Sequence, residues 1–151
     1  VLDVAMGGGR NSVYLASKGF QVEGIDNSQE TIDGALKLAQ EKQVKIKPHL
    51  VDLEKDFFIK EESYDVIICF NFLQRSLISH MIKGLRPNGV IVYETYITDQ
   101  AQFGKPSNPD YLLKHNELLR LFSSFRCLRY HEGIYNNSKA VAGIVAEKIK
   151  S

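Results

Sequence analysis

The chain has 151 residues, 44% hydrophobic and 25% charged, with 19 basic and 18 acidic residues and a net charge of +1. That length and balance suit one globular domain whose core needs no disulfide or metal staple, and nothing reads as a membrane span, so a cytoplasmic protein is the default. The near-neutral charge supplies no field to recruit nucleic acid, Lys42, Lys45 and Lys47 read as a solvated coat, and the scattered Cys69, Cys127 and four histidines lack the spacing of a metal centre.

In chain order, apolar runs alternate with helix-period stretches. Residues 1–5 read as a short strand ending in glycines, and Asn11 is placed to cap a helix to about Lys18, with Gly19 as its stop. A second strand covers residues 21–26. Asn27 or Ser28 then caps a helix carrying Ile32, Ala35, Leu36 and Ala39 at i, i+3, i+4 and i+7. Residues 45–51 form a third strand, where Pro48 suits an edge position. Tyr64–Phe70 is a fourth, apolar on both faces as a central parallel strand is. Leu77, Ile78, Met81, Ile82 and Leu85 stripe the next helix, residues 86–89 break it, and residues 90–96 make the fifth strand. Residues 98–110 contain Gly104, Pro106, Asn108 and Pro109 and read as a long loop, a lid or an acceptor-binding segment. Asn116 caps a helix through Leu118, Leu119 and Phe122. Residues 125–131 and 140–149 are the final strands, paired antiparallel across the turn at Asn136, Asn137 and Ser138.

Strands alternating with helices imply right-handed crossovers and a doubly wound α/β fold: seven strands, mostly parallel with an antiparallel last strand, between two helical layers. Residues 1–151 read as a single domain. Because the first residues already form a strand and no initiator Met precedes them, a segment upstream of that strand is expected to be missing. Ligands in such sheets bind beyond the carboxyl ends of the strands.

Those ends carry the chemistry. Three consecutive glycines, Gly7 to Gly9, link a strand to a helix and let a ligand approach the main chain. A dinucleotide fingerprint is matched at Gly7 and Gly9, but Ser12 stands where a third glycine permits close helix packing. Asp26, at the end of the second strand, is placed to accept hydrogen bonds from two ribose hydroxyls of any nucleoside. Asp52 follows the third strand and is placed to meet an adenine amino group with Leu53 against the ring, whereas Glu54 and Asp56 lie further along a charged stretch.

Together these residues resemble class I S-adenosylmethionine-dependent methyltransferases. The acidic-x-Gly-x-Gly-x-Gly motif falls on Asp3, Ala5, Gly7 and Gly9, with Ala5 departing from the first glycine. Tyr64 to Ile68 resembles the family's fourth-strand motif, and Leu85-Arg86-Pro87-Asn88-Gly89 its turn before the fifth strand. The closing antiparallel pair is likewise a family feature. Within the family, Gly104-Lys105-Pro106 and Asn116-Glu117-Leu118 look most like the tellurite-resistance (TehB-like) branch of small methyltransferases. The resemblance implies a Rossmann-like fold, S-adenosylmethionine as cofactor, S-adenosylhomocysteine as product and a small-molecule acceptor. It also implies roles. Gly7 and Gly9 would run past the methionine part of the cofactor, Asp3 would hold its amino group, and Arg10 would face its carboxylate. Asp26 would take the ribose, with Asn27 beside the adenine and Asp52 and Leu53 against it. Asn71 and Phe72 would border the sulfonium and the acceptor.

The sequence offers no decisive general base. Glu94 and Tyr96 are the acceptor-side candidates, with Arg75 and His115 behind them. The Asn/Asp-Pro-Pro-Tyr motif of nitrogen methyltransferases is absent, Asn71-Phe72-Leu73-Gln74 standing in its place. Two rival readings remain open at this level: an NAD-dependent oxidoreductase, and a non-catalytic cofactor-binding module. Tyr135 and Lys139 have the spacing of an oxidoreductase pair but span the predicted turn rather than a helix.

Overall fold

A computed structural model describes residues 1–55 and 59–149; Asp56 lies outside the described residues. The chain divides into two compact units, Val1–Ile59 and Lys60–Ser151.

In unit 1 the strands β1 (Leu2–Val4), β2 (Glu23–Asp26) and β3 (Lys47–Leu50) are parallel, in the order β3-β2-β1. Pro48 is in β3, whose edge position spares it a ladder donor. The connecting helices are α1 (Arg10–Ser17) and α2 (Gln29–Glu41). Ser28 caps α2, its hydroxyl accepting from the Thr31 amide at 3.2 Å, so Asn27 is not the cap. Asn11 does not cap α1 either. It sits inside the first turn, and Gly9, in a left-handed conformation, holds the cap position without any side chain. Ile32, Ala35 and Ala39 are buried as predicted, while Leu36 is 43% exposed on the flank of the stripe.

In unit 2 the order is β4-β5-β7-β6, from β4 (Tyr64–Phe70), β5 (Leu85–Tyr96), β6 (Phe125–Tyr135) and β7 (Lys139–Lys148). β4 and β5 are parallel; β7 opposes both of its neighbours, β5 and β6. The helix α3 (Ile78–Gly84) follows a 3₁₀ turn, Arg75–Leu77. It stops one residue before Leu85, which pairs with Tyr64 as the first residue of β5 rather than closing the helix stripe. Residues 86–89 are therefore an irregularity inside β5: the register jumps from Tyr64↔Leu85 to Val66↔Val90. Gly89 is required there, because a Cβ would lie 2.8 Å from the Arg86 carbonyl oxygen. The last two strands pair antiparallel across residues 136–138, and Asn136 and Asn137 supply the positive φ values, 53° and 50°, that turn them. β6 runs past the predicted His131 because the pairing with β7 continues to Tyr135↔Lys139. The short helix α4 (Glu117–Leu121) buries Leu118 and leaves Leu119 37% exposed. Asn116 is at its cap position, in a left-handed conformation and without a side-chain capping bond.

Candidate functional site

The loop after β1 owes its shape to alternating backbone handedness. Ala5, Gly7 and Gly9 have φ of 57°, 55° and 80°. These are the motif positions, so the glycine spacing records where the chain must turn left-handed; Ala5 adopts that conformation at a cost of about 1 kcal/mol. The two glycines then differ. A Cβ on Gly7 would meet nothing within 4 Å, leaving open space against the main chain, whereas a Cβ on Gly9 would lie 2.6 Å from the Ala35 Cβ. Gly9 thus serves the packing of α1 on α2, and its amide donates to the Met6 carbonyl at 3.1 Å.

Asp26 is fixed by two main-chain donors. Its Oδ2 accepts from the Gly7 amide at 3.0 Å and its Oδ1 from the Ser28 amide at 3.1 Å. Both oxygens keep a second acceptor position, and the half-buried side chain presents them in a fixed orientation, which suits a vicinal diol. Asp3 is 2% exposed and accepts a 2.6 Å hydrogen bond from the hydroxyl of the fully buried Ser12. Burial pushes its carboxyl up to about 6, against the Ser12 hydrogen bond, with the nearby charge of Asp26 raising it further. Ser12, a mismatch to a dinucleotide fingerprint, has this positive role instead.

The remaining predicted residues of unit 1 are less constrained. Arg10 and Asn27 are exposed. Asp52 is exposed, with Oδ1 accepting from the Glu54 amide at 3.0 Å. Leu53 is 6% exposed, packed into the protein.

In unit 2, Asn71 ends β4 with a left-handed φ of 57°, and its amide donates to the Glu94 carbonyl at 2.9 Å. Asparagine tolerates that conformation better than other non-glycine residues. The following carbonyl, of Phe72, accepts from the buried Tyr93 hydroxyl at 2.7 Å, and burial pushes the Tyr93 phenol well up. The turn so fixed borders a cleft of about 560 Å³, whose walls include Asn71, Phe72, Tyr96, Lys105, Asn108 and Tyr111. Residues 98–110, expected as a long loop, carry a 3₁₀ helix, Thr98–Gln102, and lead into another, Pro109–Tyr111.

Two sets of contacts that the sequence did not reveal hold that wall. The guanidinium of Arg75 forks onto Glu117, Nε to Oε2 at 2.6 Å and Nη2 to Oε1 at 2.8 Å, and also donates to the carbonyls of Leu112 and Asp110 at 2.9 and 3.2 Å. The hydrogen bonds from Arg75 hold the Glu117 carboxyl below its ordinary value, against the effect of burial. Gln100, 5% exposed, accepts from the Ala140 amide at 2.7 Å and donates to the Lys105 carbonyl at 3.4 Å. Arg75 is a clamp here, and His115 is tied to Asp99 at 2.6 Å. Of the two acceptor-side candidates, Tyr96 lines the cleft. Glu94 instead pairs with His131 at 2.8 Å beside a separate cavity of about 80 Å³. Among the described residues no helix is long and apolar enough to cross a membrane.

Comparison with known proteins adds a family. A family model described as a methyltransferase domain matches residues 1–89. A ubiquinone biosynthesis O-methyltransferase of Rickettsia akari is 34% identical over 103 residues, 63% of this chain and 39% of that protein. The chain spans about two fifths of the length of the curated relatives it matches. Among solved structures, TehB from Haemophilus influenzae is similar with a TM-score of 0.78 at 22% identity, over 97% of this chain and 57% of that one. An S-adenosylmethionine-dependent methyltransferase from Methanosarcina mazei gives 0.76 at 19% identity, over 99% and 92%. These likenesses give the fold class the sequence predicts: a Rossmann-like α/β fold with seven strands and an antiparallel last strand.

Proposed function

The chain belongs to the methyltransferase domain family, of the class I S-adenosylmethionine-dependent kind, and on that premise we propose that it transfers a methyl group to a small-molecule acceptor. When bound, S-adenosylmethionine supplies an activated methyl group on a sulfonium and leaves as S-adenosylhomocysteine. The observation that carries the reading is the left-handed loop at Ala5, Gly7 and Gly9 with the Asp26 carboxylate fixed by the Gly7 and Ser28 amides. It fits the cofactor: the diol of a ribose meets two aligned carboxylate oxygens, and the open space at Gly7 admits a ligand chain against the backbone.

In this reading Asp26 binds the ribose, Gly7 borders the methionine part and Asp3 orients the amino group. Arg10 faces the carboxylate, and Asn27, Asp52 and Leu53 surround the adenine. In unit 2, the cleft lined by Asn71 and Phe72 receives the acceptor. The volume of that cleft, about 560 Å³, is of the size that takes small molecules. The protein's work is alignment and exclusion of water. Tyr96, which lines that cleft, relays the acceptor's proton in this reading, its hydroxyl passing one proton on as it takes one up. The name of the curated relatives favours an oxygen acceptor, and residues 1–151 act as one methyltransferase domain of the TehB-like kind.

Titration calorimetry with S-adenosylhomocysteine and with NAD tests the cofactor. Binding of the former and not the latter is expected, and binding of NAD alone overturns the reading. Asp26→Ala should weaken S-adenosylhomocysteine about 100-fold, the loss of two hydrogen bonds to a charged group.

A further inference from the structure

The cleft of unit 2 has a composition that narrows what it accepts. Phe72, Tyr96 and Tyr111 give the lining three aromatic residues, and Tyr111 is 56% exposed. Lys105 is the one charged side chain among the lining residues. Its ammonium enters no ion pair among the described residues, and no carboxylate lines the cleft to neutralise it. Arg75 and Glu117, which lie behind the wall, satisfy each other.

The segment carrying Lys105 is also held in place. Gln100 grips the Lys105 carbonyl at one end, and Arg75 grips the Asp110 and Leu112 carbonyls at the other. A wall ordered before the ligand arrives loses less entropy on binding.

We propose that the cleft selects a planar aromatic anion as its methyl acceptor, with ring faces from Phe72, Tyr96 and Tyr111 and the Lys105 ammonium meeting the negative group. The proposal rests on reading the cleft as the acceptor site. Two alternatives are disfavoured on the same observations. A small inorganic oxyanion would fill little of about 560 Å³ and would leave the rings uncovered. An aromatic cage alone would suit an organic cation, but the Lys105 charge repels one. Because Lys105 is exposed, water screens its attraction, and the preference for anion over neutral analogue is about threefold to tenfold and falls with added salt.

The test uses one ring with three charges: 2-naphthoate, 2-naphthylmethanol and 2-naphthylmethylammonium, titrated into the full chain by NMR, with sodium selenite as the inorganic probe and S-adenosylhomocysteine as an independent titration. The expected order is naphthoate, then the alcohol, then the ammonium, with selenite weakest; Lys105→Glu should reverse the first and third. Equal binding of the three naphthyl probes, or a preference unmoved by Lys105→Glu, overturns the anion assignment. Selenite binding as tightly as naphthoate overturns the aromatic part. If S-adenosylhomocysteine fails to bind while naphthoate still binds through Lys105, the methyl-transfer reading fails and the anion site survives. Lys105→Gln, which keeps the stem without the charge, should level the naphthoate and alcohol affinities; retention of the full preference overturns the role of the ammonium.

Discussion

In unit 1 the residues that matter run from Asp3 to Asp26 and are organised by main-chain conformation: three left-handed residues at alternate positions, and a carboxylate tied to two amides. In unit 2 they are organised by side chains that reach across the sequence, Arg75 to Glu117 over 42 positions and Gln100 to Ala140 over 40. A main-chain site tolerates few substitutions at its turning points, because the turn itself is the recognition element. A side-chain site admits many wall compositions, provided that something clamps the wall. The same contrast explains why the glycine motif is recognisable from residue spacing while the cleft of unit 2 is not.

The two glycines offer the sharpest break of that contrast. Gly9→Ala combines a Cβ 2.6 Å from the Ala35 Cβ with a φ of 80°, and should destabilise the chain by about 4 kcal/mol. Gly7→Ala meets nothing within 4 Å and should cost about 1 kcal/mol of stability, its main effect falling on S-adenosylhomocysteine affinity. Urea unfolding paired with calorimetry separates the two; equal stability losses would remove the distinction between a packing glycine and a ligand glycine.

Asp3 comes next. Its folded-state value of about 6 lies above the ordinary 3.8, so its stability contribution is fully present below pH 3.8 and is lost as pH rises through 6. The difference corresponds to about 3 kcal/mol. Denaturation midpoints should therefore fall between pH 4 and pH 7 more steeply in the parent chain than in Asp3→Asn, which keeps an acceptor for Ser12 but cannot ionise. S-adenosylhomocysteine affinity should rise over the same window as the carboxylate forms. Parallel stability profiles would show that Asp3 ionises without penalty.

For unit 2, Arg75→Ala leaves the Glu117 carboxylate, 10% exposed, without its forked partner. With Arg75 itself 38% exposed and partly screened, the cost should be about 2 kcal/mol. Naphthoate affinity should drop along with it. Arg75→Lys should recover only part of either, since an ammonium cannot fork onto a carboxylate; full recovery would reduce the clamp to simple charge. The smallest expected effect is Ala5→Gly, which relieves a φ of 57° and should stabilise by less than about 1 kcal/mol, set against the added freedom of the unfolded chain.

Much of the fold is legible in residue order. Tyr64–Phe70 is a strand at the predicted bounds because the unbroken apolar run Val66 to Phe70, three of its five residues β-branched, leaves little choice. Asn136 and Asn137 announce the last hairpin because asparagine accepts positive φ. Pattern reading fails where a partner decides. Leu85 continues a helix stripe in sequence, yet it is a strand residue because Tyr64 is there to pair with it. Asn11 is a better cap residue than Gly9 in isolation, but only a glycine fits both the left-handed turn and the approach of Ala35.

By itself, then, the sequence determined the order of strands and helices, the glycine loop between the first strand and helix, and the carboxylate Asp26 at a strand end. Each depends on a residue and its near neighbours. The tertiary structure decided which glycine opens onto free space and which packs on a helix, that Ser12 holds Asp3, and that Arg75 and Glu117 fix the wall from which Lys105 meets the cleft. Those depend on atoms brought together only when distant segments pack, and local spacing carries no record of such distances.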